Sequence, residues 1–172
     1  MALSESDLTT LTVLLGKMEW PVDKSVFYWL VKRIVTVPIE LCVLDSNGHV
    51  LMIRRDDNEY KGHHMPGVVL QGVDDSVLQA LERLVQSDVV GGNVSSPKPI
   101  GWVEIPRGFD PGQNQSRHEI ALLHLCLLQG EYKGVGGVFS RLDELPEDTL
   151  PHHRVLISRV KEYLVSGKIV LG

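Results

Sequence analysis

A chain of 172 residues with a formal net charge of -5 suits one domain that buries roughly two-thirds of the surface its unfolded form exposes. The acidic balance and the lack of a Lys/Arg block argue against a nucleic-acid backbone as the main partner. No apolar run reaches the roughly twenty residues of a membrane span, and Cys42 and Cys126 sit inside apolar stretches as small buried hydrophobes, so a reducing cytoplasm is expected.

Residues 6 to 18 read as a helix, with Ser6 or Ser4 as N-cap and Leu8, Leu11, Leu14 and Leu15 at helical spacing. After the Trp20-Pro21 break a second helix is expected over 23 to 34. The period then changes to that of strands. VPIELCVLD, a turn at Asn47-Gly48 and HVLMIRR form a hairpin, the turn residues supplying positive backbone φ values. DDNEYKGHHMPG follows as a loop.

The next helix, over about 75 to 89, is capped by Asp74, Asp75 and Ser76, with Val77, Leu78, Leu81, Leu84 and Val85 as its apolar stripe. PIGWVEIPR and HEIALLHLCLL read as strands separated by GFDPGQNQSR, and GGVFSRL as a short third. A final helix within PEDTLPHHRVLISRVKEYLVSG turns Val155, Ile157, Val160, Tyr163 and Leu164 to the core. His152 and His153 fall at its start, where capping or surface placement is expected. Strands and helices are mixed and the helices segregated, which is the pattern of an α+β fold.

The order strand, Asn-Gly turn, strand ending in arginines, loop with Pro66-Gly67, then acid-capped helix containing ALERL resembles the Nudix (MutT-like) hydrolase superfamily, and within it the GDP-mannose mannosyl hydrolase type. The SRHEIALLHL strand is similar to that type as well. The resemblance implies one Nudix-like domain over 1–172, an α/β/α sandwich with a mixed sheet, a helical extension over 1–20 and a Nudix box over 62–92. The family's box runs glycine, five residues, glutamate, seven residues, Arg-Glu, an aliphatic, any residue, Glu-Glu, any residue and glycine. Matched through ALERL, Arg83 takes the arginine, Asp75 the first glutamate and Asp88 the last helix acid, while Leu84 and Ser87 stand where acids belong. The box is degenerate. Gly67 begins the loop, Val68 replaces its second glycine, and one extra residue precedes Asp75.

The family hydrolyses a diphosphate linked to another group and uses magnesium or manganese to neutralise phosphate oxygens and orient the attacking water. The resemblance implies metal contacts from Asp88, the Gly67 carbonyl and Asp75, with Asp88 also counted as catalytic, and a structural role for Arg83 in holding an acid. The mannosyl-hydrolase type places a histidine base in the loop before a late strand, yet GEYKGVGGVF contains none, which leaves His118 and Glu119 as base candidates. By strand alternation only one of those two lines a pocket. The same holds for Arg54 and Arg55, which could hold an anionic ligand through bidentate contacts. His63 and His64, entering the box, are candidates for ligand phosphate. Two function classes follow: a metal-dependent hydrolase of a nucleoside-diphosphate-linked compound such as a nucleotide sugar, and a Nudix-fold nucleotide-binding or regulatory module without turnover. Pairing of two chains is common in the family, and the apolar helix at residues 8 to 15 could serve it, although packing of that helix against its own domain is the preferred reading.

Overall fold

The computed structural model describes residues 4–18, 22–57, 60–110, 117–168 and 170–171. Residues 1–30 and 31–172 are two compact units. In the first, helix α1 (Glu5–Leu15) starts at Ser4, whose hydroxyl accepts from the Asp7 backbone N–H while the Asp7 carboxylate accepts from that of Ser4. This reciprocal box satisfies two of the donors that a helix start leaves open. The expected Trp20-Pro21 break lies outside the described residues. Helix α2 (Lys24–Val31) has the Asp23 carboxylate accepting from the Ser25 N–H at 2.8 Å.

The second unit is built on two central strands, β2 (Pro38–Leu44) and β8 (His118–Gln129), paired in parallel from Ile39↔Leu122 to Leu44↔Leu127. Every residue of β2 is buried, which is why its sequence is an apolar run rather than an alternation. The hairpin partner β3 (Val50–Asp56) runs antiparallel to β2. In the connecting turn only Gly48 takes a positive φ, 77°, and Asn47 does not; the Asp45 carboxylate accepts from the N–H groups of Asn47 and His49 and closes the turn instead.

The segment expected as an open loop contains two strands, β4 (Lys61–His64) against β3 and β5 (Gly67–Val69) against β2. Lys-Gly-His-His carries no apolar alternation. It is held by the ladder to β3 and by the His63 N–H donating to the Asp148 carbonyl at 3.2 Å, partners that lie far along the chain.

Strand β7 (Lys98–Ile105) runs antiparallel to β8, and β9 (Gly137–Ser140) antiparallel to β3. Short strands complete the sheet: β1 (Val35–Thr36) and β6 (Asn93–Val94) on β8, and β10 (Val170–Leu171) on β7. The sheet is mixed, with an apolar core on each face. Helix α3 (Val77–Asp88) packs Ala80, Leu81 and Leu84 against Ile39, Leu41 and Val43. Helix α4 (Pro151–Ser166) packs Leu156, Ile157 and Val160 against Cys42, Leu44 and Leu123. The expected inward face of α4 is corrected at two points: Leu164 is exposed, and the helix start turns His152 and His153 inward as buried residues. No helix among the described residues is long and apolar enough to cross a membrane.

Leu84 is fully packed in the α3 core, so truncating it to alanine should cost about 3 kcal/mol of unfolding free energy. Leu84→Glu should cost more than Leu84→Ala, because it adds a buried charge. Urea unfolding of both variants measures the two losses.

Candidate functional site

Five strands and one helix start meet at a cleft of about 60 Å³, lined by Glu40, Arg55, Tyr60, His64, Arg117, Glu119, His152 and His153, with Gly67 on its wall.

Strand alternation selects which side chains enter. Arg55 faces the cleft, whereas Arg54 turns away to pair with Asp148 at 2.7 Å. His64 faces in, and His63 bonds to the same Asp148 at 2.6 Å. Glu119 faces in, while His118 bonds to Glu104 at 2.8 Å outside. Of each candidate pair the structure thus brings one member to the cleft. Arg55 and Arg117, from separate parts of the chain, both approach the Tyr60 ring, their guanidinium carbons 4.7 and 5.9 Å from its centroid.

The acids and imidazoles are packed tightly enough to reset one another. Glu40 and Glu119 belong to the paired central strands and are 7% and 6% exposed. Burial, reinforced by the neighbouring Glu119, holds the Glu40 carboxyl well above the usual carboxylate range. That carboxyl packs directly on Gly67, where a Cβ would come within 2.6 Å of Oε2. Glycine at 67 is therefore the space that Glu40 occupies. His153 accepts the Met65 N–H at 3.3 Å, and its Nδ1 lies 3.8 Å from Glu40 Oε2. Burial first, then the neighbouring His152, His64 and Arg55, keeps His153 far below an ordinary imidazole. His64 is lowered to about 4, by burial and then by Arg55. His152 and His153 stack with ring centroids 4.2 Å apart.

Glu40 Oε2 and the Tyr60 hydroxyl are buried in the cleft without a hydrogen-bond partner among the described residues. An unsatisfied buried group of this kind costs about 1–3 kcal/mol.

No protein-family model and no curated protein matches the chain. Solved structures do match it. A MutT Nudix hydrolase from Burkholderia pseudomallei superposes with a TM-score of 0.59 at 18% identity, covering 74% of this chain and 99% of the other. The Nudix domain of Shewanella oneidensis NrtR, complexed with ADP ribose, gives 0.56 at 12% identity over 94% and 99%. A diadenosine tetraphosphate hydrolase candidate from Jonesia denitrificans gives 0.61 at 15% identity over 80% and 98%. The chain has the Nudix fold.

Helix α3 is the helix of the segment expected to carry the box. Arg83 does hold an acid, but it is Asp74, at 2.7 Å, and not Asp75; Arg83 also reaches the Val69 carbonyl at 3.3 Å. The N-cap of α3 is Ser76, which accepts from the Gln79 N–H. Asp75 is exposed ahead of the helix, and its N–H donates to the Gln79 side chain. Twelve helical residues rise about 18 Å, so Asp75 and Asp88 cannot share one ion. This corrects the expected metal set of Asp88, Gly67 and Asp75. At the other positions of the box helix Leu84 is core, and Ser87 donates its hydroxyl to Asp88 at 2.6 Å. Asp88, raised by burial, is the single acid this face offers. Magnesium and manganese need several converging oxygens, and no group of three His, Cys, Asp or Glu among the described residues could hold a metal ion. Of the expected donors, a metal at this helix would meet Asp88 with no second carboxylate of the set beside it.

Sequence reasoning missed Glu40, Tyr60, Arg117, His152 and His153. Glu40 did carry a signal, a lone acid inside an apolar strand, where an unpaired charge is rarely tolerated. For the others no local signal exists, because their meaning comes from neighbours distant in sequence.

His64 gives the site a pH signature. Its folded value is depressed to about 4 against roughly 6.5 when unfolded, so its contribution is present above pH 6.5 and is lost as pH falls toward 4. His153 shifts in the same sense. Glu40 is raised, so its term runs oppositely and favours the folded state on the acid side. Unfolding free energy measured at pH 7.5 and 5 should fall with acid, His64 alone accounting for about 2 kcal/mol over that interval. His64→Gln should show a smaller fall.

Proposed function

We propose that the cleft binds a nucleoside diphosphate joined to a polyhydroxyl group, a class that includes ADP-ribose and nucleotide sugars of the GDP-mannose kind. The observation that carries this reading is the pair of orphaned atoms, Glu40 Oε2 and the Tyr60 hydroxyl, lining a cleft that two arginines also enter. Guanidinium groups suit phosphate oxygens through paired donors. A buried carboxyl and a phenol suit sugar hydroxyls, which donate and accept in turn.

The ADP ribose bound by the structurally similar NrtR Nudix domain belongs to this ligand class and supports the reading. Binding through Arg55, Arg117, Tyr60 and Glu40 uses the residues the cleft contains and needs no magnesium cluster. That separates it from metal-dependent hydrolysis, for which the box helix supplies Asp88 alone.

Isothermal titration of ADP-ribose and GDP-mannose, each with EDTA and with magnesium, tests the reading. Heat of binding should appear in EDTA for at least one ligand. Removing one charge-assisted contact costs about 1.5–3 kcal/mol, so Arg55→Ala should raise Kd about 10- to 100-fold, while Asp88→Asn should leave it within about 3-fold. Binding that requires magnesium and vanishes in Asp88→Asn would overturn the metal-free account.

A further inference from the structure

Asp110 and His152 form a buried pair that ligand binding alone does not use. They are 2% and 5% exposed. Asp110 Oδ1 accepts from the His152 backbone N–H at 3.0 Å, and Oδ2 bonds to the ring Nδ1. The first contact is a helix cap: α4 starts with Pro151 after Leu150, which offers no side-chain cap, and Asp110 supplies one from a separate loop. Capping needs only one carboxylate oxygen. The second oxygen fixes the imidazole. A carboxylate at Nδ1 keeps the proton on that nitrogen, so the lone pair resides on Nε2, which makes no hydrogen bond among the described residues. His152 lines the same cleft as Arg55 and Arg117.

A carboxylate, an imidazole oriented through Nδ1 and a bare Nε2 are the parts of a general base. The expected histidine in GEYKGVGGVF is absent, and the box helix lacks the acids that would orient a metal-activated water. We infer that His152, positioned by Asp110, is the base of a metal-independent hydrolysis of the phosphoanhydride held in this cleft. The inference rests on the ligand reading above. In the step, a water oxygen bonds to one phosphorus as His152 Nε2 takes its proton. The bond from that phosphorus to the bridging oxygen breaks, and the bridging oxygen leaves with the electron pair on a phosphomonoester. The imidazolium then releases its proton to solvent. One water is consumed and two phosphomonoesters form. Arg55 and Arg117 face the charge that develops on the phosphoryl oxygens. His152 is the catalytic residue, and Asp110 is a positioning residue that acts through it.

The experiment is steady-state hydrolysis of ADP-ribose and GDP-mannose in EDTA by the full chain, with Kd measured on the same samples. Turnover should persist in EDTA. General-base loss is worth about 100- to 10,000-fold, so His152→Gln should lower kcat at least about 100-fold with Kd within about 3-fold of the parent. Asp110→Asn, which keeps a capping oxygen but presents an amide to Nδ1, should lower kcat with KM retained. A purely structural role for Asp110 would instead lower thermal stability and leave kcat of the folded fraction intact. If His152→Gln fails to fold, the kcat-against-KM split in Asp110→Asn decides. Ligand binding without turnover in EDTA, or turnover that survives both variants, overturns the inference and leaves the binding reading standing. Absence of binding by either ligand overturns both.

Discussion

The parallel pairing of β2 with β8 is the constraint on which the rest of the second unit depends. Six consecutive residue pairs, Ile39↔Leu122 to Leu44↔Leu127, join two strands in the middle of the sheet. A strand so placed is covered on both faces, by α3 on one and α4 on the other, and it must be apolar throughout or compensate each polar group. Glu40 is the exception in β2, and Glu119 is its counterpart in β8. The pairing brings the two carboxyls into one low-dielectric environment. Burial first, and then the neighbouring Glu119, raises the Glu40 carboxyl well above the usual carboxylate range.

Around these acids the cleft balances charge with groups from every neighbouring element. Arg55 enters from β3, Arg117 from the approach to β8, Tyr60 from the link to β4, and the two histidines from the first turn of α4. The imidazoles of His64 and His153 are lowered by burial first, with Arg55 and the neighbouring imidazoles adding to it. Both guanidinium groups also face acids, Arg55 Nε bonding to Asp57 and Arg117 lying 3.7 Å from Glu119 Oε1, so the cleft carries charge of both signs.

The box helix has a different task in this chain. Leu84 belongs to the core that seals α3 against β2, and Arg83 clamps Asp74 and the Val69 carbonyl, tying the loop after β5 to the helix. What the segment retains is the geometry of a strand, a loop and a helix. Gly67, which the family resemblance makes a metal-contacting position, is needed because the Glu40 carboxyl fills the space over it.

The sequence by itself determined the elements whose signal is local. The Asn47-Gly48 turn, the apolar run of β2, the stripe of α3 and the span of α4 are set by neighbours within a few residues, and their order along the chain is that of the Nudix fold. Alternation also established that only one member each of Arg54/Arg55 and His118/Glu119 would line a pocket, since adjacent strand residues point to opposite sides. Which member faces inward was a tertiary decision, because it depends on the registers of β3 with β4 and of β8 with β2. The same is true of β4, a strand without a strand-like sequence, and of His152 and His153, whose place at a helix start reads as surface until Asp110, forty-two positions earlier, accepts from one of them. Hydrogen bonds and burial between residues that far apart leave no periodic trace along the chain.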